Sequence, residues 1–211
     1  MQLLWLVPYG LIFIAVQRLG LSHDRACILT VALLTVYWTA LIVHIKRNDT
    51  ARLYGVCALS AQDKRNYLLL LPLLLMPAVN AALGTFQITV LTTVYIAYIA
   101  FGEEFFFRGF LLGVLRQRCG VWLGSIISAV LFALMHCFNG VSAVQLLCAA
   151  GVGFALSASR FLTGSLVVPV VIHFCINVTG WQTAAPEHAP VYIALAAAYT
   201  ACGVVMLRKS K

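Results

Sequence analysis

The sequence predicts an all-α, polytopic membrane fold, and three observations carry that expectation. Of the 211 residues, 63% are hydrophobic and 9% charged, with mean hydropathy +0.98; a soluble domain carries about 25% charged residues. Eight apolar segments can be drawn, at roughly 3–17, 26–45, 67–83, 86–115, 121–137, 143–159, 163–180 and 189–207, against the about 20 residues that a span needs. The basic residues fall in the polar intervals between these segments, and they alternate in density from one interval to the next. Together these predict about eight transmembrane helices in a single domain, residues 1–211. The formal net charge of +8 is thereby explained without a nucleic-acid partner.

Each segment has its own signature. The first has no Lys or Arg before Arg18. It lacks the charged leader of a secretory signal and is expected to stay as a first span. The third holds Pro72 and Pro77, which are expected to kink it. The fourth is long enough to project beyond the bilayer or to break at Gly102. Lys46, Arg47, Arg52, Lys64, Arg65, Arg116, Arg118, Arg160, Arg208, Lys209 and Lys211 fall on one side of the expected topology, against Arg18 and Arg25 on the other. By the positive-inside rule both termini are cytoplasmic, in a multi-pass protein expected in a bacterial inner membrane. Membrane lipid is the first expected partner. Trp5, Trp122 and Trp181 are candidates for the interfacial aromatic belt. Seven scattered cysteines, with no Cys-x-x-Cys pair, predict no disulfide framework.

Against this apolar background a few polar residues are costly. Gly102-Glu103-Glu104-Phe105-Phe106-Phe107-Arg108-Gly109 places three charges inside the fourth segment, where each costs about 2.5–3.5 kcal/mol at mid-bilayer. Glu104 and Arg108 are four apart and can pair on one helical face; Glu103 lies about 100° away and needs a partner from another span. Two more interruptions follow, Phe132-Ala-Leu-Met-His136 and His173-Phe-Cys-Ile-Asn177. His173 and Asn177 share a face. Pro169, four residues before His173, is expected to bend that helix. At about 1.5 Å per residue, Glu103, His136 and His173 lie about 20, 21 and 14 Å from the basic-loop boundary, which is a similar level. Phe105, Phe106 and Phe107 read most simply as packing.

These residue types suit one chemistry. A desolvated carboxylate can act as base towards water, and a histidine beside it can orient that proton. A second histidine and an amide can donate to a developing oxyanion. Cys137 and Cys175 point about 100° or more from the neighbouring histidines on a regular helix and read as inert packing. Glu103, His136 and His173 could alternatively bind zinc, but they lack the spacing of a helical metal motif. The residues also leave open a proton-coupled carrier that uses Glu103, although no internal repeat supports one.

Glu103-Glu104-x-x-x-Arg108, Phe132-x-x-x-His136 and His173-x-x-x-Asn177 resemble, in order and placement, the three motifs of the CPBP intramembrane proteases, which include CAAX prenyl endopeptidases and bacteriocin-processing and immunity proteins. The resemblance covers about residues 86–180. It implies that Glu103 activates water, that His136 helps to hold it and that His173 and Asn177 stabilise the oxyanion, with Glu104 and Arg108 in support. It implies a glutamate-type endopeptidase with no required cofactor and a catalytic cavity between the fourth, fifth and seventh spans. It implies a peptide or protein substrate anchored by a lipid or an apolar segment. A non-catalytic immunity or scaffold protein of the same fold is the family's other implied role.

Overall fold

The computed structural model describes residues 6–57, 64–84, 89–137, 141–180 and 188–210. Trp5, Trp181 and Lys211 lie outside the described residues. Nine α-helices make up most of the described chain: α1 (Leu6–Arg18), α2 (His23–Arg47), α3 (Ala51–Tyr54), α4 (Leu75–Leu83), α5 (Val90–Glu104), α6 (Leu112–His136), α7 (Ala143–Thr163), α8 (Val167–Val178) and α9 (Ala189–Lys209). A 3-10 stretch, Lys64–Leu74, leads into α4, and a π-helical stretch, Phe105–Leu111, joins α5 to α6.

Among the described residues five stretches are long and apolar enough to cross a membrane: Asp24–Arg47, Asn66–Leu83, Val90–His136, Ala143–Thr163 and Ala189–Lys209. The fourth and fifth expected spans lie within Val90–His136 as two helical arms, separated by the non-helical backbone of Gly120 at φ 80° and ψ 177°. The first and seventh expected spans are the 13-residue α1 and the 12-residue α8. At about 1.5 Å per residue α8 reaches only about 18 Å, short of a full crossing. The protein is therefore an all-helical, multi-pass membrane chain.

Local chemistry explains the boundaries. Thr89 caps α5 by accepting from the Thr92 amide at 3.1 Å. Ser142 and Gln145 form a reciprocal capping box at the start of α7, which satisfies two amides that the first turn would otherwise leave unpaired. Gly164, at φ 70°, ends the same helix in a left-handed turn. Pro72 lies inside the 3-10 stretch, which gives way to α-helix at Leu75. A 3-10 winding rises about 2.0 Å per residue, so this short segment covers more depth than its residue count suggests.

Three expectations are corrected. The chain does not break at Gly102. It stays helical there, widens into the π stretch at Phe105 and turns only at Gly120, whose φ of 80° is open to glycine. Pro169 does not bend a running helix. α8 begins at Val167, so Pro169 lies in its first turn, where an amide would have no helical partner. Arg160 is not a solvated loop charge. It is 5% exposed within α7, and its Nη2 donates at 3.2 Å to the carbonyls of both Arg52 and Leu53.

α7 is the central helix: 78% of its span window is buried, against 22–39% in the other four spans. Gly151 lets it approach α9, since a Cβ there would stand 2.7 Å from the Ala196 carbonyl oxygen. α5 packs on α2 and α8, while α6 packs on α7. Trp38, Phe101 and Phe105 form edge-on aromatic pairs between α2 and the α5 arm. Outward-facing Val36, Leu68 and Val90 are 71%, 66% and 82% exposed. Such a surface would favour association in water but faces matching solvent in lipid.

Candidate active site

Glu104 ends α5 and is fully buried. Its Oε1 accepts from Arg108 Nη1 at 2.7 Å, the four-residue pair expected from spacing. The same oxygen accepts from His173 Nδ1 at 2.7 Å. With Arg108 and His173 both on the one Oε1, this oxygen accepts from each and Nδ1–H of His173 donates. That bond fixes the orientation of the ring and turns its Nε2 towards Glu103, whose Oε2 is 3.7 Å away. At 3.7 Å the contact is electrostatic rather than a hydrogen bond. Glu103 finds its partner on α8, a different helix, as its isolated position on α5 required.

His136 closes the second arm of α6. Its Nδ1 donates to the Phe132 carbonyl at 2.8 Å, one turn back. This leaves Nε2 as the acceptor nitrogen of the neutral ring. His136, His173 and Asn177 line one cavity together with Met76, Phe132 and Cys148, and with Ala149, Val152 and Ile176. Its volume is about 20 Å³, and room for one water takes about 10–15 Å³. The walls come from α4, α6, α7 and α8, so of the three spans expected to frame the cavity the fifth and seventh line it and the fourth does not. Glu103 is not among the lining residues; it stands behind the Nε2 edge of His173.

The site is thus assembled from Glu103, Glu104 and Arg108 on one arm, His136 on the other, and His173 with Asn177 on α8. His173 stands 3.7 Å from Glu103, and its ring lies 5.6 Å from that of Phe132. Cys175 is half-buried and Cys137 exposed, and both are free thiols. Among the described residues no group of three or more His, Cys, Asp or Glu is gathered closely enough to hold a metal ion. Both ring nitrogens of His173 already face carboxylates.

Three supporting residues escaped sequence reasoning. Asn80 is fully buried on α4; its Nδ2 donates to the Ile176 carbonyl at 3.4 Å, and its Oδ1 accepts from Tyr192 Oη at 3.0 Å. It ties α8, one residue before Asn177, to α9. The signal was an amide in an apolar run. Arg160 holds α3 down, and α3 in turn presses on the π stretch. Gly109 permits this close approach, since a Cβ there would lie 3.1 Å from the Tyr54 carbonyl oxygen. Tyr54 stacks on Phe110 with centroids 5.3 Å apart.

Comparison with known proteins bears on this geometry. Residues 85–179 match a family described as type II CAAX prenyl endopeptidase Rce1-like. An Escherichia coli protein described as an uncharacterized 24.3 kDa protein is 36% identical over 90 residues, which is 41% of this chain. The aligned part spans 39% of that relative's length. No solved structure matches. Residues 85–179, which hold Glu103, Glu104, Arg108, His136, His173 and Asn177, are thus similar to the CAAX protease family in its Rce1-like form.

Proposed function

We propose that this protein is an intramembrane endopeptidase that hydrolyses a peptide bond with water activated by Glu103. The observation that supports the reading most directly is the placement of His173: Glu104 locks its Nδ1, and its Nε2 faces Glu103 at the wall of a cavity that His136 and Asn177 also line. Two carboxylates, one guanidinium and one imidazole lie together here, with Glu103 partly exposed and the other three buried. The four sum to zero charge when the imidazole carries both protons, and a neutral cluster is the one that a low-dielectric interior favours. In that state Nε2–H is a donor.

The chemistry proceeds in two steps. The Glu103 carboxylate takes a proton from water, oriented by the Nε2 acceptor of His136. The oxygen attacks the carbonyl carbon as the C=O π electrons move onto the carbonyl oxygen. Nε2–H of His173 and the Asn177 amide donate to that oxyanion. On collapse the C–N bond breaks and the leaving amine takes the proton from Glu103. No step passes through a metal. General base work contributes about 10²–10⁴-fold and an oxyanion donor about 10²–10³-fold.

The substrate class is a peptide or protein that reaches the cavity through lipid, carried by a lipid group or an apolar anchor. The distribution of Lys and Arg supports an orientation with both termini cytoplasmic, in a bacterial inner membrane. The decisive experiment uses purified protein in liposomes with lipidated and unlipidated reporter peptides. Wild type should cleave, and Glu103→Gln should lose at least about 10²-fold in rate while remaining folded. Full cleavage by Glu103→Gln refutes the assigned base. Proton flux without cleavage moves the assignment to a carrier.

A further inference from the structure

The mechanism above leaves Phe132 unused, although this ring has more polar neighbours than any packing role requires. It is 3% exposed. Its centroid lies 4.1 Å from the guanidinium carbon of Arg108. It meets the His136 ring at 4.6 Å and 61°, and the His173 ring at 5.6 Å and 85°. Both imidazoles of the cavity therefore touch one phenyl group, and that group lies against the cation that anchors Glu104.

Arg108 needs this surface. Nη1 is committed to Glu104, while Nε and Nη2 are buried without a hydrogen-bond partner among the described residues. An aromatic face carries negative quadrupole charge and attracts a guanidinium held over it, whereas an aliphatic side chain offers it nothing. Room for the arrangement comes from Gly153 on α7. A Cβ there would stand 2.9 Å from Arg108 Nη2 and 3.2 Å from Phe132 Cδ1. A ring held from one side by a cation can hold in turn what leans on it, and here those groups are His136 on its own helix and His173 on α8.

We propose that Phe132 is a positioning residue: clamped by the Arg108 guanidinium in a seat that Gly153 keeps open, its ring sets the relative placement of the His136 and His173 imidazoles across the cavity. The consequence for rate rests on the hydrolytic reading of the site, but the placement of the rings does not.

The test uses full-length protein in nanodiscs with 15N-labelled histidine, and records ring resonances against pH for wild type, Phe132→Tyr, Phe132→Leu, Arg108→Lys and Gly153→Ala. Phe132→Tyr, which keeps the aromatic face, should preserve both histidine titrations. Phe132→Leu and Arg108→Lys should shift those of His136 and His173 together. Where a reporter peptide is cleaved, Phe132→Leu should lower kcat by about 10²-fold, the size of effect that a misplacement of about 1 Å produces, with little change in KM. An unaltered His173 titration in Phe132→Leu overturns the proposal. If that variant does not fold, Gly153→Ala decides, because its Cβ would crowd the guanidinium and the Phe132 ring in their shared seat while keeping the aromatic side chain; unaltered histidines there overturn the proposal equally. Absence of any wild-type cleavage would sink the hydrolase reading alone, since the resonances still decide the role of Phe132.

Discussion

Glu104 and Glu103 are adjacent acids with different situations. Glu104 is fully buried and tied to Arg108 and His173, and Glu103 faces His173 across a gap. Their substitutions should therefore separate. Glu104→Gln leaves a buried guanidinium without its counter-ion, which costs about 3–5 kcal/mol when one partner of a buried pair is removed. The expected outcome is a large drop in unfolding midpoint in detergent. Replacing both Glu104 and Arg108 by leucine should recover most of that stability, because an apolar pair of similar volume carries no desolvation cost. Glu103→Gln should change the midpoint little. A double-leucine variant no more stable than Glu104→Gln would show that the pair contributes more than charge cancellation. The four-residue spacing of Glu104 and Arg108 was legible from sequence. That His173 leans on Glu104 by one nitrogen and faces Glu103 by the other was not, since it depends on how α8 is rotated.

At the scale of elements, the long stretch Val90–His136 is organised by two departures from α geometry. The π stretch Phe105–Leu111 follows the two acids directly. π-helical turns often occur at functional sites. The turn at Gly120 sets the second arm back against α7, so that His136 at its end reaches the cavity. Gly120 is exposed, and a Cβ there would meet nothing within 4 Å. Only its φ of 80° restricts substitution. Gly120→Ala and Gly120→Asn should each cost about 1–3 kcal/mol, because φ 80° with ψ 177° is a region that only glycine adopts readily. Comparable unfolding midpoints for all three would show that the two arms do not require this backbone conformation. The turn was legible in the sequence, since Arg116 and Arg118 separate the fourth and fifth segments, but the π stretch was hidden because its residues have no pattern that distinguishes it from α-helix. The burial of Arg160 was hidden for a related reason: an arginine near the end of an apolar run reads as a boundary charge until a neighbouring loop supplies its acceptors.

For the molecule as a whole, the two ends of the bundle differ. α3, Gly113, Arg160 and the turn at Gly164 lie together at the end rich in basic residues. There the Gly55 carbonyl accepts from the Leu166 amide at 3.0 Å, and Cys57 Sγ donates to the Gly164 carbonyl at 3.0 Å. Cys137 follows the second arm at the other end. Both Cys57 and Cys137 are exposed. In single-cysteine variants in sealed inverted vesicles, an impermeant thiol reagent should modify Cys57 from the outside and leave Cys137 unmodified. Modification of Cys137 alone would reverse the proposed orientation, and equal modification of both would contradict placement of the two thiols on opposite sides of the bilayer.

Composition and spacing alone determined that this chain lives in a membrane as helices, and which six polar side chains lie among them. Both follow from the cost of polar groups in hydrocarbon, which composition and local spacing already express. Only the tertiary structure decided that a π-helical stretch follows the two acids, that α8 is a 12-residue helix held to α4 and α9 through Asn80, and that α4 and α7 help to wall the cavity. Those outcomes depend on contacts between residues far apart in the chain, such as Asn80 with Ile176 and Arg160 with Leu53, and on the rotation that close packing at glycines imposes on each helix.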